Sequence, residues 1–317
     1  MTWIFENILR EHFRGMFMEW TSKFDLHSHS THSDGEHSTE QVASMMKANG
    51  VQFWSLTDHD TISGWQDAHR FAIQYGLTFI PGIEITCNVG IEANEEELLL
   101  RGKDRASSSW HLLAYFPQSI LEDHERLDEL QKWLLPLQTG RLPRMVLMLE
   151  RLEDLGMPIQ LEAVTKRAEG SLGRPHLAQA MVDAGYVSTS REAFDKYIGD
   201  GGIAFVEREE PPLFDAISLV HRLGGITSLA HPLYYGVAVD ELIDYLSNVE
   251  CDAVEVFHRS HDDEYRFELL SAARNAKLGV TVGSDFHGQG HGHLPGNMVV
   301  TKAFMPYFFQ ELETMIP

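Results

Sequence analysis

Short apolar runs alternate with amphipathic stretches of helical length over the first third of the chain. Phe24–His27 reads as a buried strand, and Ser38–Asn49 as a helix opened by Ser38 or Thr39 and stopped by Gly50. Val51–Leu56, Ser63–Tyr75 and Leu77–Ile80 follow as strand, helix and strand. This rhythm predicts a parallel sheet or barrel. From Ile83 to Phe116 the pattern becomes that of a hairpin with a solvated, acidic tip, IEANEEELLLRGKDRASSS. Between about Pro117 and Pro212 strands give way to helical patterns at Leu121–Leu135, Arg144–Leu155, Leu161–Ala168, His176–Ala184 and Arg191–Tyr197. The α/β rhythm then resumes with helices at Phe214–Leu223, Asp240–Leu246 and Asp262–Ala276, and strands at Ile226–Leu229, Ala253–Phe257 and Val280–Val282. The organisation expected is an extension over 1–22, an α/β unit made of 23–116 and 213–317, and a helical insertion over 117–212.

Composition narrows the function. Among 317 residues, 25 Lys and Arg face 47 Asp and Glu, a net charge of −22. An acidic surface repels polyanions, so duplex nucleic acid is excluded as a default partner, whereas a small phosphorylated ligand can still be drawn to a local cationic site. No run reaches the roughly 18 apolar residues that span a bilayer. Glu6, Arg10, Glu11 and Arg14 interrupt the opening apolar residues, which argues against a secretory signal and makes a cytoplasmic location the expectation. Ile4, Phe5, Ile8 and Leu9 fit a short amphipathic helix there. Cys87 and Cys251 stand far apart, which excludes a disulfide scaffold or a thiolate zinc site.

The chain carries 17 histidines, and several cluster with carboxylates at predicted strand ends: DLHSHSTHSDG (25–35), TDHD (57–60), PGIE (81–84), His111, AHP (230–232) and GSDFHG (283–288). In parallel α/β folds the carboxyl ends of strands meet at one mouth. His27, His29, Asp34, His59, Glu84, His111, His231, Asp285 and His287 would converge there. Nine such groups are too many for one ion but suit two or three divalent cations, and mixed imidazole and carboxylate ligation suits zinc, manganese or iron. Asp25 and Asp58 precede a ligand by one or two residues and point the other way on strand alternation, so a supporting role is expected of them.

These motifs, in this order, resemble the polymerase and histidinol phosphatase (PHP) superfamily over roughly residues 24–116 and 213–290. The resemblance implies a distorted (β/α)7 barrel with up to three metal ions: one on His27, His29, Glu84 and Asp285, a second on Glu84, His111 and His231, and a third on Asp34, His59 and His287. The helical insertion is similar to that of the nucleotide-phosphatase branch.

Such a cluster would lower the pKa of a bound water and clamp phosphoryl oxygens. Protonation of the leaving group then falls to Asp60 or His258, although Asp60 could equally cap a helix or orient an imidazole, and His258 could be a plain loop residue. Gly173-Arg174-Pro175-His176 opens a helix, and Arg174 there would bind phosphate, with His176 beside it, unless Arg174 pairs with a carboxylate. Relatives often have a basic residue where Glu207 stands, so Arg208 could take that role or the substrate could differ. The leading expectation is a metal-dependent phosphoesterase acting on a nucleotide or nucleoside bisphosphate. Alternatives are 5′-3′ trimming of short RNA, histidinol-phosphate hydrolysis, an amidohydrolase-type C–N hydrolase, and a non-catalytic metal-stabilised module, which the full set of nine ligands and the absence of a polymerase-like region disfavour.

Overall fold

The computed structural model describes residues 23–103, 106–166, 168, 170–288 and 294–298. The amphipathic helix expected within residues 1–22, and the stretch 299–317 of the predicted α/β unit, lie outside the described residues. None of the helices among the described residues is long and apolar enough to cross a membrane.

Among the described residues eight short strands form two sheets of a mixed α/β fold. β1 (Phe24–Asp25), β2 (Phe53–Trp54) and β3 (Thr78–Phe79) pair in parallel in that order. β4 (Gly82–Cys87), β5 (Trp110–Tyr115), β6 (Ile226–Leu229), β7 (Ala253–Phe257) and β8 (Gly279–Val282) form the second sheet, also in chain order. β5 is antiparallel to both β4 and β6, and β6, β7 and β8 are parallel. The expected parallel sheet is thus broken by β5, which runs against both of its neighbours.

Backbone hydrogen bonds tie the sheets together along both seams. Leu26 N–H donates to Val282 O at 3.0 Å, His29 N–H to Phe286 O at 2.9 Å and Asp285 N–H to His27 O at 2.8 Å. On the other seam Asp60 N–H donates to Glu84 O at 2.9 Å and Glu84 N–H to Asp58 O at 3.4 Å. The predicted strand Phe24–His27 is cut to two residues because the chain beyond Asp25 bends towards the segment after β8.

Eleven α-helices lie among the described residues. α1 (Thr39–Ala48) starts with a capping box in which Ser38 and Gln41 bond each other's backbone N–H. α2 (Trp65–Tyr75) stops at Gly76, whose φ of 66° is costly for any residue with a Cβ. α3 (Glu95–Leu100) lies in the hairpin tip that sequence predicts as solvated coil; Asn94 accepts from the N–H groups of Glu96 and Glu97, and three glutamates fill its first turn. The insertion contains α4 (His124–Thr139), α5 (Arg141–Asp154), α6 (Leu161–Thr165), α7 (Arg174–Asp183) and α8 (Ser190–Ala193), the last running into a π turn over Phe194–Ile198. α9 (Leu213–Arg222), α10 (Val239–Asn248) and α11 (Asp263–Ala276) complete the α/β unit.

Two apolar cores result. The larger packs Leu26, Trp54, Phe79, Ile83, Leu112, Val254 and Val280 with the inward faces of the helices. The smaller joins Met148, Leu152, Leu177, Met181, Ile198 and Ala204. Leu130, Leu134 and Leu137 of α4 belong to the larger core, so packing draws its division near Met145, inside the predicted insertion rather than at its start.

Candidate active site

The strand ends deliver all nine sequence-predicted ligands to one place. Glu84 is fully buried at its centre. Its Oε2 lies 3.3 Å from His27 Nε2, 3.2 Å from His29 Nε2 and 3.1 Å from His59 Nδ1. Its Oε1 lies 2.9 Å from His111 Nδ1 and 3.0 Å from His231 Nε2. Asp285 Oδ1 stands 3.4 Å from both His27 Nε2 and His29 Nε2. Asp34 faces His287 Nε2 at 3.4 Å and His59 Nε2 at 3.7 Å.

Glu84 Oε1 hydrogen-bonds His111 and His231, but other donor atoms of the cluster crowd together without bonding. His27 Nε2, both ring nitrogens of His29, His59 Nδ1, Asp34 Oδ1 and Glu84 Oε2 are buried yet have no hydrogen-bond partner. Buried polar atoms are rarely left so, and six in one cluster is the arrangement of donors aimed at shared cations. Three sets of side chains can each hold an ion: His29/Asp34/His59/His287, His27/His29/Glu84 and His59/Glu84/His111. The grouping differs from the expected one: His29 also joins the Asp34 set, His59 also joins Glu84 and His111, and Asp285 and His231 belong to none of the three sets. Protonation is pulled in opposite senses within the cluster. Burial disfavours charge on His29, but the close carboxylates of Asp285, Glu84 and Asp34 overcome it and raise its pKa to about 10. Burial dominates at His59 and pushes it down to about 3.

The backbone is distorted to build this cage. His231, Asp285 and Asp60 have φ of 27°, 49° and 55°, in the left-handed region that non-glycine residues avoid. Gly283 passes so close to His27 that a Cβ there would collide with the Cβ of His27. Asp25 and Asp58 support the cage, as expected. Asp25 accepts from the N–H groups of Ser284 at 3.0 Å and Gly296 at 2.6 Å, and Asp58 from Ser30 N–H at 2.8 Å and Ser33 Oγ at 2.6 Å.

Sequence reasoning missed Glu255. From the middle of β7 its Oε1 meets His27 Nδ1 at 3.1 Å while Oε2 accepts from His231 N–H at 2.9 Å, an outer carboxylate that fixes a ligand imidazole. The signal was a lone glutamate in the otherwise apolar strand AVEVF.

A cavity of about 240 Å³ opens over the cluster, and Arg141, Arg144, Arg174 and Arg208 also line it. Arg174 and Arg208 were expected; Arg141 and Arg144 were not, although spacing of three on one helix puts them on one face. Arg174 Nη1 donates to Asp200 Oδ1 at 2.8 Å, the carboxylate pairing raised as its alternative, yet still lines the cavity. Arg144 has no carboxylate within ion-pair reach among the described residues. Its Nε donates to Val206 O at 2.6 Å and its guanidinium lies over Phe205. Burial, and then the neighbouring Arg174 and Arg208 cations, pull its pKa down to about 9, the situation of a cation that lacks an anion.

Three expected residues are not brought to the cavity wall. His176 accepts from Gly173 N–H at 3.0 Å, so its ring caps α7. His258 is fully buried behind Asp285, with Nε2 3.3 Å from Asp285 Oδ2 and Nδ1 2.7 Å from Ser260 Oγ. Asp60 is fully buried; burial opposes its ionisation, but Arg141 and Arg208 hold its carboxyl well below the usual range, which leaves it no proton to donate near neutrality.

Comparison with known proteins agrees with this geometry. A PHP-domain family model matches residues 25–158. A 5′-3′ exoribonuclease of Haemophilus influenzae is 32% identical over 270 residues, covering 84% of this chain and 90% of the relative. A 3′,5′-nucleoside bisphosphate phosphatase of Chromobacterium violaceum is 29% identical over 278 residues, covering 86% and 89%. The solved structure of an amidohydrolase from Chromobacterium violaceum superposes with a TM-score of 0.80 at 25% identity, over 93% of this chain and 97% of that one. A relative of this identity and coverage, together with a caged set of imidazoles and carboxylates on strand ends, places the chain in the PHP family of metal-dependent phosphoesterases.

Proposed function

We propose that this enzyme removes a phosphoryl group from a nucleotide or nucleoside bisphosphate, using two or three divalent ions held by the nine clustered side chains. The observation that carries this reading is one cavity lined both by ion-binding donors and by four arginines. A substrate with one phosphate at the cluster and a second anionic group at the arginines matches both sets of residues. Manganese, zinc or iron would suit the mixed imidazole and carboxylate donors, and when bound would activate water and neutralise charge on the phosphoryl oxygens.

The chain's own residues supply the rest. Arg144 and Arg174 offer N–H forks to phosphate oxygens, and Arg141 and Arg208 add positive charge beside them. Glu255 keeps the His27 ring in the tautomer that leaves Nε2 free towards the cluster. Asp60 and His258 do not reach the cavity, so neither is assigned the proton transfer.

The domain reading is likewise ours. Hydrogen bonds run from β2 to β3 and on from His59 to Glu84, so β3 and β4 form one interrupted strand path, and the Leu26–His29 segment meets the far end of β8. Seven strand paths counted this way support the distorted (β/α)7 barrel, with the insertion packed over its mouth. A location in the cytoplasm remains the sequence expectation.

A second reading, trimming of short RNA carrying a 5′ phosphate, is favoured by the activity named for the Haemophilus influenzae relative. The charge of −22 leaves no basic track for a long polymer, so either substrate would be short. The arginine wall disfavours an amide substrate. Phosphate release with manganese or zinc, measured across nucleoside 3′,5′-bisphosphates, mononucleotides, short 5′-phosphorylated RNAs and histidinol phosphate, tests the proposal. It expects the highest kcat/KM for a substrate with two anionic groups; release from none of these substrates would overturn it.

A further inference from the structure

Asp60 follows a predicted ligand, His59, yet its side chain points away from the cluster. Its Oδ2 receives the guanidinium of Arg141, Arg208 Nη2 at 3.0 Å and Thr86 Oγ1 at 3.1 Å, while Oδ1 accepts from Thr86 N–H at 2.7 Å. Its backbone is fixed as firmly. The N–H donates to Glu84 O at 2.9 Å, and the carbonyl accepts from Gln138 Nε2 at 2.8 Å near the end of α4. One residue therefore joins the strand end carrying His59, the strand carrying Glu84, the α4–α5 corner and the return of the insertion at Arg208.

Two guanidinium groups meeting at one carboxylate oxygen would repel each other without it, and both line the cavity that the cluster lines. Arg141 also donates through Nη1 to Leu172 O at 3.0 Å, two residues before Arg174, and Arg208 Nε reaches Glu210 at 3.2 Å. The placement of Arg141 and Arg208 relative to the ion cage thus passes through Asp60.

We infer that Asp60 is a positioning residue, a buried anionic clamp that holds Arg141 and Arg208 at the distance from the metal cluster that a doubly anionic substrate spans. This rests on the arginine wall being the phosphate-binding side of the proposed active site. Asp60 touches neither substrate nor metal, and its effect on catalysis is exerted through the two arginines.

The test is Asp60→Asn in the metal-loaded enzyme, because asparagine tolerates the left-handed backbone and matches the shape while removing the charge. Expected are a rise of about 10- to 100-fold in KM for a nucleoside bisphosphate and in the Kd of inorganic phosphate by calorimetry, the size of one charged hydrogen-bonded contact. The fall in kcat should be smaller and the bound manganese unchanged. In an Arg141→Gln/Arg208→Gln background the same substitution should add about twofold or less, because the groups it acts through are gone. Loss of bound manganese, an unchanged KM with a collapsed kcat, or full additivity in that background would each overturn the clamp. If Asp60→Asn does not fold, Arg141→Lys decides: it keeps the charge but not the fork, so a raised KM supports the clamp and an unchanged KM overturns it. A wild-type enzyme releasing phosphate from no substrate would instead sink the functional reading itself.

Discussion

Gly283→Ala should damage the ion cage through a single methyl group. Gly283 lies just past β8, where the chain squeezes between His27 and Glu255. A Cβ built there would collide with His27 Cβ and lie 2.8 Å from Glu255 Oε1 and 2.9 Å from His27 N. The surroundings cannot yield easily. Gly283 N–H donates to Phe257 O at 3.1 Å, Ser284 N–H to Asp25 Oδ1 at 3.0 Å, and Asp285 N–H to His27 O at 2.8 Å. Overpacking of this kind costs ~1–3 kcal/mol. At ~2–4 °C per kcal/mol for a chain of this size, the melting temperature of the chelator-treated protein should fall by about 2–12 °C. Because His27 is the part that must move, manganese binding should weaken as well. Thermal unfolding, with metal content measured after dialysis against manganese, reads both effects. Gly90→Ala is the control: no atom lies within 4 Å of its Cβ and its φ is not positive, so stability should change by no more than ~1 kcal/mol with full metal content. Native melting temperature and full metal content in Gly283→Ala would refute the reasoning.

Glu255→Gln keeps the shape but removes the charge behind His27, and should weaken metal affinity about 10- to 100-fold in a competition titration with a chelator. Arg144→Ala should raise KM for bisphosphates about 10- to 100-fold, leave metal content intact, and change hydrolysis of a singly charged phosphodiester much less. Burial pushes the Cys251 thiol from its ordinary 9.0 to about 12, and raises Cys87 as well. A thiol reagent at pH 8 should therefore label neither cysteine in the folded enzyme and both in denaturant. By linkage the unfolded chain loses these protons from about pH 9 upwards while the native chain keeps them, so stability should decline as pH rises through that range, as a denaturant series at pH 8, 9 and 10 would show.

The convergence of the candidate ligands was legible because their chemistry lies in short contiguous motifs. HxH, TDH and DFH carry their spacing in the chain, and the rule that strand ends share one mouth is enough to gather them. Strands β6 and β7 were legible to the residue, since apolar runs of four and five residues between helices admit few other readings. What the sequence could not show depends on contacts across the fold. Asp60 looked like a proton donor because it neighbours His59, and only tertiary packing reveals that Arg141 and Arg208, 81 and 148 residues away, neutralise it. His176 looked like a phosphate ligand until its ring turned back onto Gly173 N–H. Glu255 was hidden by the opposite effect: a strand with one charge reads as noise until that charge is seen to face an imidazole. Which core a helix joins was likewise hidden, because α4 shows the same helical period either way, and Leu130, Leu134 and Leu137 join the larger core.

The most direct test is a crystal of the enzyme grown with manganese and measured for anomalous scattering. Peaks should appear where Glu84 meets His27, His29 and Asp285, where it meets His111 and His231, and beside Asp34, His59 and His287. Anomalous density absent from this cage, with manganese bound elsewhere or not at all, would contradict the claim that these nine side chains exist to hold the cations that drive phosphoester hydrolysis.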